Sequence, residues 1–137
     1  MHRFAIRVYY SDTDCGGIVY HANYLNFVEH ARTELLRDIS LTVGQTGSHR
    51  ALMEQEQLAL VVKSVNVDYR RPAYLDDLLS VETEVEESKR FSIVFRQTVK
   101  REEEVLCVAL VKVAAIDTAT MRPKPMPSWF VPAVNAL

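Results

Sequence analysis

Two hydrophobic periods divide the chain into a helix-forming part and a strand-forming part. Between residues 22 and 39, apolar side chains recur every three or four positions, which predicts a half-buried amphipathic helix. Later in the chain the period changes to two, the spacing of a strand with one buried and one solvated face. The predicted strands are residues 3–10, 58–69, 79–86, 91–99 and 105–117. The last of these is nearly apolar on both faces, which predicts a position inside the sheet.

The order of these segments predicts the fold class. One strand, one long helix and four further strands give a single α+β domain over residues 1–137, with the helix packed on a five-stranded antiparallel sheet. A polar connection over residues 44–49 and a short helical turn near residues 52–55 separate the helix from the second strand. The proline-rich segment 123–132 predicts a surface tail with at most a short terminal turn.

Composition excludes several classes of function. The net charge of −2 leaves no basic field for a nucleic-acid backbone, so we expect no nucleic-acid partner. No apolar run approaches the ~20 residues that a membrane span needs, and residues 1–10 lack the apolar core of a signal peptide. The two cysteines, Cys15 and Cys107, are too few for a disulfide framework, which is typical of a reducing compartment. We therefore expect a cytoplasmic protein without a membrane span.

The chemistry concentrates just ahead of the long helix. The amides of a helix start have no intrahelical partner and carry partial positive charge, so they can stabilise an oxygen that becomes negative during a reaction. Asp14 is placed there to act as a base or a nucleophile, and Gly17 allows close approach of a ligand to the backbone. His21 can donate a hydrogen bond or transfer a proton near neutral pH. This pattern predicts catalytic roles for Asp14 and His21.

Structural roles compete with these assignments. An aspartate close to a helix start often caps a turn, and this applies to Asp14 and, more strongly, to Asp12. The two carboxylates would also suit a hard divalent cation, but further ligands are hard to find. His21 and His30 are nine residues apart and lie on opposite helix faces at ~100° per residue. We therefore predict no metal site.

The full pattern resembles a known family. The motif Tyr10-x-Asp12-x-Asp14-x-x-Gly17-x-Val19-x-His21-x-x-Tyr24, supported by the later segment DYRRPAYLDDLLSVET, resembles the hotdog-fold acyl-CoA thioesterases of the 4-hydroxybenzoyl-CoA thioesterase-like family. The resemblance is strongest to the bacterial branch associated with the Tol-Pal cell-envelope system and extends nearly from end to end. It implies a hotdog fold, in which one long helix packs on the sheet.

The resemblance also implies residue roles. A carboxylate at the position of Asp14 assists attack on the thioester as general base or nucleophile, and the backbone amide of His21 holds the thioester oxygen. The imidazole of His21 is implied to be a polar helper. Tyr10, Asp12, Gly17 and Tyr24 are supporting members of the motif, although the two tyrosines equally suit packing with a bonded hydroxyl.

The implied substrate is an acyl-CoA, with no further cofactor. No glycine-rich phosphate cradle is present, so basic clusters are the expected contacts for the coenzyme A phosphates: Arg70, Arg71, Lys89 and Arg90. The family dimerises by joining sheets and often forms tetramers, which implies a homodimer or homotetramer.

Two other functions remain open at this point. The same fold supports hydratases and dehydratases of acyl thioesters. A docking module for cell-envelope machinery or for acyl carrier protein, with weak hydrolysis, is the other alternative.

Overall fold

The computed structural model describes residues 1–42 and 48–137 and shows the predicted α+β architecture. The strands are His2–Arg7 (β1), Leu58–Tyr69 (β2), Leu78–Ser88 (β3), Ser92–Arg101 (β4) and Glu104–Asp117 (β5). The helices are Asn23–Thr42 (α1), His49–Glu56 (α2) and Phe130–Asn135 (α3). None of these helices combines the length and hydropathy that crossing a membrane requires.

The five strands form one antiparallel sheet in the order β1-β3-β4-β5-β2. β5 lies inside the sheet between β4 and β2, as its two apolar faces predict. β1 and β2 are the edge strands. A register shift between Val62 and Ser64 leaves Lys63 as an unpaired bulge residue on the β2 edge.

The long helix crosses the inner face of the sheet with its apolar stripe. Tyr24, Phe27, Val28, Ala31 and Leu35 are all buried, as the helical period predicts. They share one core cluster with inward-facing side chains of the central strands. Each large apolar side chain buried in this way contributes about 1.5–3 kcal/mol, so this interface accounts for much of the helix stability.

The carboxyl-terminal segment corrects one prediction, because it is part of the core rather than a surface tail. Phe130 and Val134 project from α3 into the core and are 0% and 1% exposed. The segment before them runs along the end of the sheet, where the amides of Lys124 and Met126 donate to the carbonyls of Ala115 and Arg90. The prolines obscure the pattern in the sequence, since they interrupt any helical period.

Two boundaries also differ from the sequence analysis. β1 ends at Arg7 because the next residues enter a loop, and the 3-10 turn Tyr10–Asp12 follows. The predicted turn near residues 52–55 is the helix α2, which Ser48 caps by accepting a hydrogen bond from the amide of Ala51. Most of the predicted polar connection 44–49 lies outside the described residues.

Candidate functional site

Asp12 ties the beginning of the motif to the beginning of α1. One carboxylate oxygen accepts from the Tyr9 amide at 2.7 Å and the other from the Asn23 side-chain amide at 2.5 Å. The backbone carbonyl of Asp12 accepts from the Tyr20 amide. Asp12 therefore holds the loop closed at its base, which is the structural role that competed with a catalytic one.

Asp14 lies at the exposed tip of that loop. Thr13 and Val19 pair across the loop, the Asp14 amide donates to the Ile18 carbonyl, and the Gly17 amide donates back to the Asp14 carbonyl. Gly17 has a φ of +80°, a conformation that glycine adopts without steric cost.

The carboxylate of Asp14 is oriented by its own turn. Its Oδ1 accepts from the Gly16 amide at 2.8 Å, whereas its Oδ2 accepts no hydrogen bond from the described residues. A Cβ at position 16 would lie 3.1 Å from Oδ1, so the glycine leaves room for this contact. Asp14 thus presents a fixed carboxylate with one oxygen available to take a proton.

A second loop, residues 72–77, packs against the motif loop and is hydrogen-bonded to it. The Val19 amide donates to the Ala73 carbonyl at 2.9 Å, and Ile18 pairs with Tyr74. Arg101 fixes this second loop, since it donates to Asp77 at 2.7 Å and to the Pro72 carbonyl at 3.3 Å. The β4–β5 hairpin therefore determines where the motif loop lies.

Two tyrosines hold the residues at the start of α1. The Tyr69 hydroxyl donates to the His21 carbonyl at 2.7 Å, and its ring lies edge-on to the rings of His21 and Tyr24. The buried Tyr24 hydroxyl accepts from the Ala73 amide, and burial raises the pKa of this phenol. Tyr24 is therefore a structural anchor between the helix and the second loop.

The amide of His21 remains available. Within residues 1–42 and 48–137, no oxygen accepts a hydrogen bond from it. His21 is exposed and lines a cavity of about 270 Å³ together with Tyr24, Tyr69, Arg70 and Arg71. The His21 cavity thus combines a free backbone amide, an imidazole and two guanidinium groups.

Asp14 opens onto a neighbouring depression of about 510 Å³, lined also by Tyr10, Cys15, Gly17 and Leu75. Gly17 lines the Asp14 depression and the next residue, Ile18, lines the His21 cavity, so the two linings adjoin in the chain. The predicted carboxylate and amide therefore line different depressions that are separated by these two residues.

The predicted basic residues fall into two places. Arg70 and Arg71 line the His21 cavity, where they also form ion pairs with Asp68 at 2.9 Å and with Glu104 at 3.5 Å. Lys89 and Arg90 lie in the β3–β4 turn at the opposite end of the sheet, about 30 Å away along a strand of this length. A single chain therefore does not bring the two pairs together.

Sequence reasoning missed the roles of Tyr69 and Arg101. Tyr69 occurs in the segment DYRRPAYLDD, whose only signal was the resemblance, and Arg101 follows an ordinary strand pattern. Their contacts to the site span 48 residues for Tyr69 and 24 for Arg101, so local periodicity carries no trace of them. Among the described residues, no three His, Cys, Asp or Glu side chains form a group that could hold a metal ion.

Comparison with known proteins identifies the relatives of this chain. Residues 8–134 match the Thioesterase-like superfamily. The chain is 50% identical over 124 residues to the Acyl-CoA thioesterase YbgC of Haemophilus influenzae, covering 90% of this chain and 87% of the relative. It is 42% identical over 132 residues to the Acyl-CoA thioester hydrolase YbgC of Escherichia coli, covering 96% and 93%.

Solved structures agree with these relatives. The chain superposes on a structure described as a probable thioesterase from Bartonella henselae with a TM-score of 0.81 and 33% identity, covering 92% of this chain and 98% of that one. The hotdog fold implied by the motif is thereby confirmed. The sequence match, the relatives and the fold agree, and the chain belongs to the Thioesterase-like superfamily.

Proposed function

We propose that this protein hydrolyses an acyl-CoA thioester to a free acid and coenzyme A. The observation that carries the proposal is the free amide of His21 just before α1, in a cavity whose lining adjoins the depression lined by Asp14. The names of relatives at 42–50% identity support the substrate class.

In the proposed reaction the thioester lies across Gly17 and Ile18, between Asp14 and the His21 amide. The carbonyl oxygen accepts from the His21 amide, and the free oxygen of Asp14 takes a proton from the attacking water. The new C–O bond forms as negative charge develops on the carbonyl oxygen. Collapse of this intermediate breaks the C–S bond, and the coenzyme A thiolate leaves and takes up a proton.

Direct attack by Asp14 is the other form of the same proposal. The carboxylate oxygen would form a mixed anhydride and release the thiolate, and water would then hydrolyse the anhydride. A single turnover in ¹⁸O-labelled water tests for this route, because hydrolysis of the anhydride at its Asp14 carbonyl incorporates the label into the carboxylate of Asp14, so a labelled Asp14 establishes covalent attack. General-base catalysis leaves that carboxylate unlabelled.

The proposal includes no cofactor, because proton transfer and oxyanion stabilisation are sufficient for this hydrolysis. Coenzyme A enters as part of the substrate. Arg70 and Arg71 are the proposed phosphate contacts from the chain that supplies His21, and their position beside its cavity supports this. Lys89 and Arg90 would serve the same purpose only from another subunit.

A second copy of the chain is the proposed partner. The outer edge of β2 has no strand paired to it among the described residues, and Val61, Val62 and Val65 along it are 41–46% exposed. Pairing through this edge would give a homodimer, from which a homotetramer could form, with the two sites near the joined strands.

Thiol release from a panel of acyl-CoAs tests the activity. We expect the Asp14→Ala variant to lose about 10²- to 10⁴-fold in kcat with an unchanged melting temperature, because one general base is removed from an exposed loop. The Glu103→Gln variant, which alters an exposed carboxylate in the β4–β5 turn, serves as the control and should retain full activity.

Two outcomes would overturn the proposal. Near-full turnover by folded Asp14→Ala would remove Asp14 from the reaction. No thiol release from acyl-CoA or from acyl carrier protein thioesters would favour a hydratase, which leaves the thioester intact, or a docking role.

A further inference from the structure

A second cavity lies deeper along α1 and is more enclosed than the one at His21. Its volume is about 140 Å³, similar to cavities that take up a six-carbon ring. Its apolar walls come from α1 and the inner face of the sheet and include Leu36, Leu60, Phe95 and Val113. Four polar side chains also line it: Glu29, Arg32, Thr33 and His49.

Arg32 is held in this wall by a buried hydrogen-bond network. Gln97, which is 0% exposed, accepts from the Arg32 guanidinium at 2.9 Å. The side-chain amide of Gln97 donates to the Val28 carbonyl at 2.8 Å and to the Thr83 hydroxyl at 3.0 Å. The Val28 and Thr83 contacts fix the side chain of Gln97, and its side-chain oxygen in turn positions the guanidinium.

Among the described residues, no carboxylate lies within ion-pair distance of the Arg32 guanidinium. Glu29, in the same wall, acts on Arg32 electrostatically from farther away. Its carboxylate accepts from the Thr33 hydroxyl at 2.8 Å. Burial, opposed in part by the Glu29 carboxylate, lowers the pKa of Arg32 and of His49, as expected where a positive charge is costly to hold. An anionic group entering the cavity would relieve that cost.

An apolar strip lies between this cavity and the proposed reaction site. Leu25, Val28 and Arg32 recur at helical spacing on one side of α1, and His21 lies just before its first turn. β2 runs antiparallel beside that side, since Tyr69 contacts His21 at one end and Leu60 shares the second cavity with Leu36 at the other. Between these ends, the inward-facing side chains of β2 are Val62, Val65 and Val67, which pair with Val113, Val111 and Ala109 of β5.

The length of the strip suits an acyl chain. His21 and Arg32 are eleven residues apart, or about 16 Å along the helix axis, and a helical side chain leans toward the amino terminus. The guanidinium accordingly lies near the level of Val28, because the side chain of Gln97 bonds both the guanidinium and the Val28 carbonyl. That level is about 10 Å from His21, within reach of a medium-length chain.

We propose that the acyl chain follows this strip and that Arg32 binds a carboxylate at its far end. The preferred substrates are then coenzyme A monothioesters of medium-chain dicarboxylic acids. This inference rests on the proposed function, because it places the thioester at His21.

The test compares acyl-CoAs that differ only at the far end of the chain. Hexanoyl-CoA is paired with hexanedioyl-CoA, octanoyl-CoA with octanedioyl-CoA, and decanoyl-CoA with decanedioyl-CoA. We expect the wild-type protein to favour the diacid at one or more of these lengths by about 10- to 100-fold in kcat/KM, the range for a hydrogen-bonded charge. Arg32→Met, which keeps the length of the side chain, should abolish that preference, and Arg32→Lys should restore part of it. Arg37→Met, which alters an exposed arginine of the same helix, should leave the ratio unchanged.

Each remaining outcome is decisive. A wild-type preference for the plain chain at every length would overturn the inference while leaving the thioesterase proposal intact, as would an unchanged ratio in folded Arg32→Met. If no thioester of any kind is hydrolysed, the thioesterase proposal fails and calorimetry with free octanedioate and octanoate tests the cavity alone. Tighter binding of octanedioate that is lost in Arg32→Met would support the cavity, and equal binding would reject it.

Discussion

Replacing Tyr24 by phenylalanine should lower the free energy of unfolding, because it removes a hydrogen bond between α1 and the loop 72–77. The Tyr24 hydroxyl is the acceptor for the backbone amide of Ala73 at 3.1 Å, and Ala73 is 0% exposed. Phenylalanine keeps the ring and its packing but leaves that buried amide without a partner among the described residues. An unsatisfied buried donor costs about 1–3 kcal/mol. For a domain of this size each kcal/mol lowers the melting temperature by about 3–5 °C, so we expect a decrease of about 3–15 °C.

The assay is thermal and urea unfolding of Tyr24→Phe beside Tyr20→Phe. Tyr20 is 48% exposed and its hydroxyl makes no hydrogen bond to the described residues, so its variant should match the wild type. Because burial raises the pKa of Tyr24, its neutral form stabilises the fold below pH ~10, and this contribution is lost as the pH rises toward the higher folded pKa. The difference between Tyr24→Phe and wild type should therefore shrink at alkaline pH. Equal stability of the two variants at neutral pH would refute the reasoning.

Three further outcomes follow from burial elsewhere. Phe130→Ala should lower the free energy of unfolding in urea by about 3–5 kcal/mol. A change near zero would contradict the burial of the terminal segment. Lys100 donates to the nearly buried Glu82 at 2.7 Å and lowers the pKa of that carboxyl. The ionised Glu82 therefore stabilises the fold above pH ~4.3, and this contribution is lost as the pH falls through the folded pKa. Glu82→Gln should flatten the acid side of a stability-against-pH profile, and an unchanged slope would contradict this. Burial raises the pKa of Cys107 to about 12, so an alkylating reagent should modify only Cys15 in the native chain and both thiols after unfolding, as mass spectrometry would show.

The sequence predicts the parts of this structure that depend on neighbours along the chain. The spacing of Tyr24, Phe27 and Ala31 identifies α1 because a helix repeats every 3.6 residues, and the strands follow from their period of two. The motif from Tyr10 to Tyr24 is also local. Its turn, its glycine conformation and its helix start could therefore be interpreted before the fold was known.

Contacts between distant segments leave no such pattern. Arg32 resembles any solvated arginine of an amphipathic helix until Gln97, 65 positions later, is found beneath it. The same holds for Phe130, whose burial depends on where the sheet ends rather than on its proline-rich neighbours. Periodicity reports which face of an element is apolar, but it does not report what that face meets.

The bulge at Lys63 has a consequence for the behaviour of this protein at high concentration. An unprotected edge strand is a template for open-ended aggregation, and β2 carries exposed valines along its edge. The extra residue interrupts the regular ladder and places an exposed positive charge there. A strand from an unrelated chain cannot pair continuously along all twelve residues of β2 without burying that charge or matching the bulge. The bulge and its lysine therefore oppose continuous pairing along this edge, which works against fibre formation.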